Sequence, residues 1–516
     1  MAFLYSPHSF SQRPAMRGFV RAVLACAMAA GIASGAGAQQ SQPQAQQPLP
    51  PQVETLLARA KVPREALSAV VVDASGRAQP LVNFRPTVPM NPASVMKLVT
   101  TYAGLELLGP AYSWNTPVYI DGTVSGGVLR GNLVIQGRGD PKLVIERLWL
   151  LLRRVQGMGI RSITGDILLD RSAFAVGAPN PADFDGEPYR PYNASPDALL
   201  LNYKTVVMTF MPDLASGQAT VSFEPPLANV QMQASVPLLA PPASSRPGSA
   251  ALAECGDYRA SLKPDFSDPY KIAFMGGYPP ACGEKTWPVA YADPASYAER
   301  AVLGLWQEMG GKLGGRVREG SPPAGLRPAF DNPSPSLAEV IRDINKFSNN
   351  VMAQQLFLTL SLQPQAANPN LAARQAPASF EASREVVRGW WRDRFGDEPP
   401  VLENGSGLSR NERVTAQGLS RMLQAAYVSG AMPELMSSLP IIGVDGTLRR
   451  SRSQVAQGWA HLKTGTLRDS TALAGYVHGA GGRRLVVVGI INHPNAPAAR
   501  PALEALVDWA VKEAGR

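Results

Sequence analysis

The stretch from Pro92 to about Leu108 constrains the fold more than any other part of the chain. It reads as a helix with Pro92 near its start, and its apolar positions Val95, Leu98, Val99, Ala103, Leu105 and Leu107 wrap most of the circumference. A helix apolar nearly all round has to be enclosed by other elements, so it marks the middle of a domain. It also carries Ser94 and Lys97, three residues apart and therefore on one face. Enclosing a hydroxyl and an amine needs a reason.

The chain's 516 residues exceed one ordinary core and predict two or three domains. Ahead of the central helix, VETLLARA reads as a short amphipathic helix, and LSAVVVDA and QPLVNFRP as a hairpin around Ser75-Gly76. Residues 53–114 are thus the first part of one domain. From 115 to 292 the texture changes to short β-like runs, such as GVLRGNLVIQG, GDILLD and VVMTFMP, separated by Pro/Asn/Asp/Gly clusters. This predicts a β-rich insertion of two nested modules. From 293 to 516 helical texture returns in SYAERAVLGLWQEMGG and SLAEVIRDINKFSNNVMAQQLFLTL. TALAGYVHG and RRLVVVGIIN then flank a tight turn at Ala480-Gly481-Gly482, and PALEALVDWAVKEA closes the chain as a helix. Strands from both chain ends with helices around them predict an α+β domain on one antiparallel sheet, split by the insertion.

Residues 1–38 carry an address. Arg13, Arg17 and Arg21 precede an apolar run from Ala22 to about Ile32, and Ala36-Gly37-Ala38 fits a cleavage site before Gln39. The run is short for a membrane span, so a cleaved signal peptide and a periplasmic location are expected. Residues 39–52, QQSQPQAQQPLPPQ, read as a Gln/Pro tether. Cleavage lowers the formal charge from +9 to +6 and leaves no clustered basic stripe of the kind nucleic acid requires. That surplus suits peripheral contact with an anionic membrane or with cell-wall machinery. Cys255 and Cys282 are the two cysteines left after cleavage, and an even pair in an exported chain points to a disulfide.

Three short patterns carry the chemistry. Ser94-Val95-Met96-Lys97 is the one S-x-x-K, and a buried lysine with a lowered pKa can take the proton of a serine three residues away. Lys463-Thr464-Gly465-Thr466 is the one K-T-G. It is expected to open a strand, offering a charge, two hydroxyls and a close backbone approach at Gly465. Ser348-Asn349-Asn350 matches S-x-N, as do Ser113-Trp114-Asn115 and Ser409-Arg410-Asn411, so order and spacing have to single it out. Each pattern alone is weak: S-x-x-K is an ordinary surface pair, S-x-N a helix cap, and K-T-G a strand entry.

Together, in this order, the three resemble the motif set of the penicillin-recognising serine hydrolases. The long insertion after the first motif resembles the penicillin-binding protein 4 type, the class C D-Ala-D-Ala carboxypeptidase–endopeptidases. So do GNLVIQGRGDP (131–141), NGSGLSR (404–410), VDGTLRR (444–450) and HLKTGTLRDSTALAGYV (461–477). The resemblance implies that Ser94 is acylated with Lys97 as base, Ser348 relays protons, and Asn350 holds Lys97 and the substrate amide. It further implies that Lys463 supplies positive potential, Thr464 and Thr466 bind the terminal carboxylate, and the N–H groups of Ser94 and Thr466 form the oxyanion hole. Glu187, Tyr192 and Arg410 would grip the diamino acid side chain of the stem peptide, with Glu187 standing where aspartate is usual. The implied substrates are peptidoglycan stem peptides and cross-links, with β-lactam antibiotics as covalent inhibitors and no cofactor.

Other classes fit less well. No G-x-S-x-G elbow is present, the four histidines lack metal-ligand spacing, and no G-x-x-x-x-G-K-[ST] loop occurs. His461 and His478 read as strand residues. A β-lactamase of the same fold would need a deacylating segment such as E-x-x-L-N, which is missing. A non-catalytic wall-binding protein would have no need of Ser94, Lys97, Ser348 and Lys463.

Overall fold

The computed structural model describes residues 48–177, 180–240, 254–362 and 376–516. The expected signal peptide, residues 1–38, and most of the expected tether lie outside the described residues. The tether's last residues do not: the first helix is Pro51–Arg59, and Leu49 is buried in the core beside it. The tether expected to run to residue 52 therefore ends too late, since Leu49 already belongs to the core.

The two chain ends build one antiparallel sheet of five strands. Its order is Ala460–Leu467, Ser470–His478, Arg484–Asn492, Leu67–Asp73, Val82–Phe84, with Val70 opposite Val488 and Lys463 opposite Ala474. The central strands are near-continuous Val/Ile runs because both faces are covered. Val70, Val72, Val486, Val488 and Ile490 face the helical core around the central helix. Ala69, Val71, Leu485, Val487 and Ile491 face the terminal helices Pro51–Arg59 and Arg500–Ala514. K-T-G falls inside the first of these strands, not at its entry.

The insertion forms three further sheets, the smallest made of the short strands Pro264–Asp265, Lys271–Phe274 and Gln231–Met232. One has seven strands, drawn from Asn115–Ser125, Val128–Gln136, Ser162–Ile163, Ile167–Asp170, Lys312–Leu313, Val317–Glu319 and Phe330–Pro333. Nested within it in sequence is a four-stranded sheet ordered Ser235–Pro237, Gln218–Glu224, Thr205–Asp213, Lys285–Ala290. These two larger sheets close on one apolar core, which also takes up Tyr297, Val302 and Trp306 of the helix Tyr297–Glu308. The boundary expected after residue 292 therefore moves to about Pro333. Helical texture at 297–308 suggested a return to the first domain, but that helix covers the insertion's own sheets. Cys255 and Cys282 are joined in this nested part.

The second helical stretch divides in two. Leu337–Lys346 starts with a capping box at Ser336 and Glu339, and Asn350–Leu362 follows after a break at Phe347–Asn349. Among the described residues no helix is long and apolar enough to cross a membrane.

Candidate active site

The central helix begins as a 3-10 turn, Ala93–Met96, and becomes α-helical from Lys97 to Leu108. A 3-10 turn has three residues per turn, so it stacks Ser94 directly over Lys97. Their side chains meet, with the Lys97 amine 3.0 Å from Ser94 Oγ. Ala93 pays for this turn with a left-handed backbone, φ 48°. Two glycines make room beside it. A Cβ on Gly407 would lie 2.0 Å from the Ala93 carbonyl oxygen, and one on Gly465 would lie 2.4 Å from that of Pro92. Gly465 thus lets the K-T-G strand pack against the serine turn, a closer role than leaving space for substrate.

The Lys97 amine is fully buried and donates to Asn350 Oδ1 at 2.7 Å and to the carbonyl of Ser406. Burial, reinforced by the Lys463 charge, pushes its pKa well below the ordinary lysine value, while the Glu412 carboxylate pulls the other way. Lys463 is also fully buried and donates to Ser348 Oγ at 2.9 Å and to the Thr464 carbonyl at 2.7 Å. Burial lowers its pKa to about 7. Ser348 stands outside both helices with φ 57°, and Asn349, not Ser348, caps the following helix by accepting from Met352 N–H. That leaves the Ser348 hydroxyl for the cleft. Of the competing S-x-N patterns, Ser409 is spent closing its own loop onto Glu403.

Ser94, Ser348, Thr464, Gly465 and Thr466 line one groove of about 260 Å³. Asn350 reaches across with its other end, donating from Nδ2 to the Tyr192 carbonyl at 3.0 Å, so the inserted domain closes one side. Gln355 of the same helix pins that contact, accepting from Asp197 N–H and donating to the Asp197 carbonyl, both at 2.9 Å.

The Glu187–Tyr192–Arg410 grouping is not what forms. Glu187 turns to Arg190 at 3.3 Å. Tyr192 donates to Asp185 Oδ2 at 2.8 Å, and Arg410 lies over the Phe184 ring at 5.1 Å while donating to the Phe184 carbonyl. Asp185 is therefore the acid in this cluster. Asp185 accepts from Asn193 Nδ2 at 2.8 Å as well as from Tyr192, and counting positions along the sequence did not find it.

Sequence reasoning also passed over Glu412. This fully buried carboxyl accepts through Oε1 from the N–H groups of Glu403, Asn404 and Gly405, and so shapes the loop whose next carbonyl, Ser406, takes the Lys97 amine. Burial raises its pKa, and those three N–H groups and Lys97 oppose the rise.

An α+β sheet interrupted by a β-rich insertion, with a serine and two buried lysines at one groove, is the architecture of the penicillin-recognising peptidases. Residues 50–513 match the sequence model of the D-Ala-D-Ala carboxypeptidase 3 (S13) family, and the chain belongs to that family. It is a hydrolase of peptidoglycan, a carboxypeptidase of the penicillin-binding type. A D-alanyl-D-alanine carboxypeptidase from Actinomadura sp. (strain R39) is 28% identical over 452 residues, 85% of this chain and 80% of that protein. The crystal structure of penicillin-binding protein 4 from Haemophilus influenzae shares the fold, with TM-score 0.64 and 23% identity over 88% of this chain and 99% of that one. The same protein complexed with a β-lactam aligns with TM-score 0.64 and 22% identity, over 90% and 99% of the two chains.

Proposed function

We propose that the chain cleaves D-alanyl bonds of peptidoglycan by way of an acyl-enzyme on Ser94, trimming terminal D-alanine and also cutting D-alanyl–diaminopimelate cross-links. The observation that carries this reading is the neutral-leaning Lys97 amine held 3.0 Å from Ser94 Oγ by Asn350 and the Ser406 carbonyl. Lys97 takes the serine proton as Oγ attacks the peptide carbonyl. The N–H groups of Ser94 and Thr466 hold the oxyanion, each worth about 3 kcal/mol in the transition state. Ser348, backed by Lys463, passes a proton to the departing amine, while Thr464 and Thr466 bind the terminal carboxylate. Water then releases the acyl group.

Asp185 and Tyr192 of the inserted domain, with Arg410 reaching across to Phe184 beside them, bring together an acid, a phenol and a cation for the zwitterionic end of a diamino acid side chain. A β-lactam follows the same path up to ring opening. Its leaving amine stays tethered, so the acyl-enzyme persists. A peptidoglycan substrate fits a periplasmic, exported protein with peripheral contact to the envelope.

Fluorescent penicillin should label the purified chain stably, and Ser94→Ala should lose both the label and D-alanine release. Normal turnover by Ser94→Ala would sink the mechanism, and rapid loss of the label would favour a β-lactamase.

A further inference from the structure

Beside the catalytic groove lies a second, larger hollow of about 840 Å³ whose walls include Thr447, Arg449, Arg450, Arg452, Arg500 and Glu504. Thr447, Arg500 and Glu504 line both spaces, so the two adjoin. The junction is close to the chemistry: Thr447 Oγ1 lies 2.9 Å from Thr464 Oγ1.

The charge in the hollow is unbalanced. Its one carboxylate, Glu504, is engaged by Arg500 at 3.1 Å. Arg449, Arg450 and Arg452 have no acidic partner among the described residues. The segment that carries them is nevertheless anchored at both ends. Asp445 is tied to Lys346 at 2.6 Å and accepts from Ile441 N–H at 2.8 Å. Ser453 donates to Asp508 and accepts from Ala456 N–H. Cations held on an anchored segment lose little freedom when an anion arrives.

We propose that this hollow receives the leaving strand of a cross-link and binds its free carboxylates, an inference that rests on the acyl-enzyme reading above. In terminal trimming the leaving group is a single amino acid whose carboxylate ends at Thr464 and Thr466. Nothing of it extends to the arginines. In cross-link cleavage the leaving amine belongs to a residue that continues into a second stem peptide. That strand must run past Thr464, and its further carboxylates match guanidinium groups in charge and geometry.

The test compares the wild-type chain with Arg449→Gln/Arg450→Gln on three substrates: a soluble uncross-linked pentapeptide, a cross-linked muropeptide dimer, and that dimer with the leaving strand's carboxyls amidated except the one beside the leaving amine, which falls to Thr464 and Thr466. The variant should lose on the order of tenfold in kcat/KM on the dimer, mainly through KM, while pentapeptide trimming and penicillin labelling stay unchanged. Wild-type protein should cut the amidated dimer about as slowly as the variant cuts the free one. Equal losses on pentapeptide and dimer, or amidated and free dimers cut alike by the wild type, would overturn the proposal. So would loss of binding to phosphatidylglycerol vesicles with dimer cleavage intact, which would give the hollow to anionic lipid. Wild-type protein that is labelled and releases D-alanine but leaves the dimer whole removes the leaving-strand subsite and leaves trimming standing. Failure of the wild type to label removes the Ser94 reading, and this inference with it.

Discussion

Two regions of this molecule bury lysines, and they treat them in opposite ways. In the seam between the inserted domain and the second-motif helix, Lys204 lies 3.0 Å from Asp197, which also binds Arg171. Burial lowers the Lys204 pKa, but Asp197 holds the proton on. In the catalytic cleft, Lys97 and Lys463 are buried as deeply, and the groups that accept from them are neutral: an amide oxygen, hydroxyls and carbonyls. Without a paired anion, burial favours the uncharged amine. The seam holds lysine as a structural cation, and in the proposed mechanism the cleft's Lys97 serves as the base. The same residue type does either job, depending on whether a carboxylate is in direct contact.

The largest effect should come from Lys97→Met. If the neutral amine is the base, penicillin acylation falls by about 10³-fold, within the range for a lost general base. Thermal stability should not fall, because a thioether of similar length replaces an unpaired buried amine. A variant that still acylates within tenfold of wild type would break the contrast at its centre. In the seam the reverse is expected. Asp197→Asn strands the buried Lys204 without its anion, while Arg171 keeps Glu319, and should cost roughly 3–5 kcal/mol in denaturant unfolding, with penicillin still labelling the folded fraction. A loss below about 1 kcal/mol would mean that the seam lysine is not held as a cation after all.

How each lysine is used was only partly legible in the sequence. Ser94, Lys97, Ser348, Asn350 and Lys463 stand out because three short patterns occur in a set order, and the structure brings these residues to one groove. Much of the five-stranded sheet was readable because two of its central strands, Leu67–Asp73 and Arg484–Asn492, are Val/Ile runs near the chain ends. What selects base over cation was not readable. The Ser406 carbonyl, the Ala93 turn and the clearance at Gly407 are backbone features, set by how distant segments meet. Asp197 and Glu412 looked like any other acids in polar loops. The insertion's end was misplaced because an amphipathic helix at 297–308 carries no mark of which sheet it covers. Glu187 was named for its spacing from Tyr192, and spacing carries no sign that the phenol turns to Asp185 instead.

A smaller effect should appear in the pH dependence of stability. In the unfolded chain Lys463 keeps its proton up to its ordinary value of 10.5, whereas in the folded chain it gives it up at about 7. Between those limits the unfolded state binds more protons, so unfolding free energy should rise with pH, by at most about 1.4 kcal/mol per unit from this group. Lys463→Met removes the contribution, and its stability curve from pH 7 to 9 should be flatter than that of wild type. Parallel curves would show that Lys463 stays protonated in the fold, like Lys204.

The smallest change tests the nearest thing to an anion in the cleft. Glu412 does not touch Lys97, but its charge opposes the fall in the Lys97 pKa, and its Oε1 holds three N–H groups of the loop beneath. Glu412→Gln keeps an oxygen for those N–H groups and removes only the charge. With the carboxylate gone, Lys97 should lose its proton more readily. The acid limb of penicillin acylation should then move to lower pH, by roughly half a unit to one unit, with KM for D-alanine release unchanged. An unmoved limb would mean that Glu412 is already protonated in the native protein. Lys97 would then face no negative charge, and its contrast with Lys204 would be complete. A limb that moved to higher pH would contradict the electrostatic account of the cleft, because removing an anion cannot by itself make a neighbouring amine more basic.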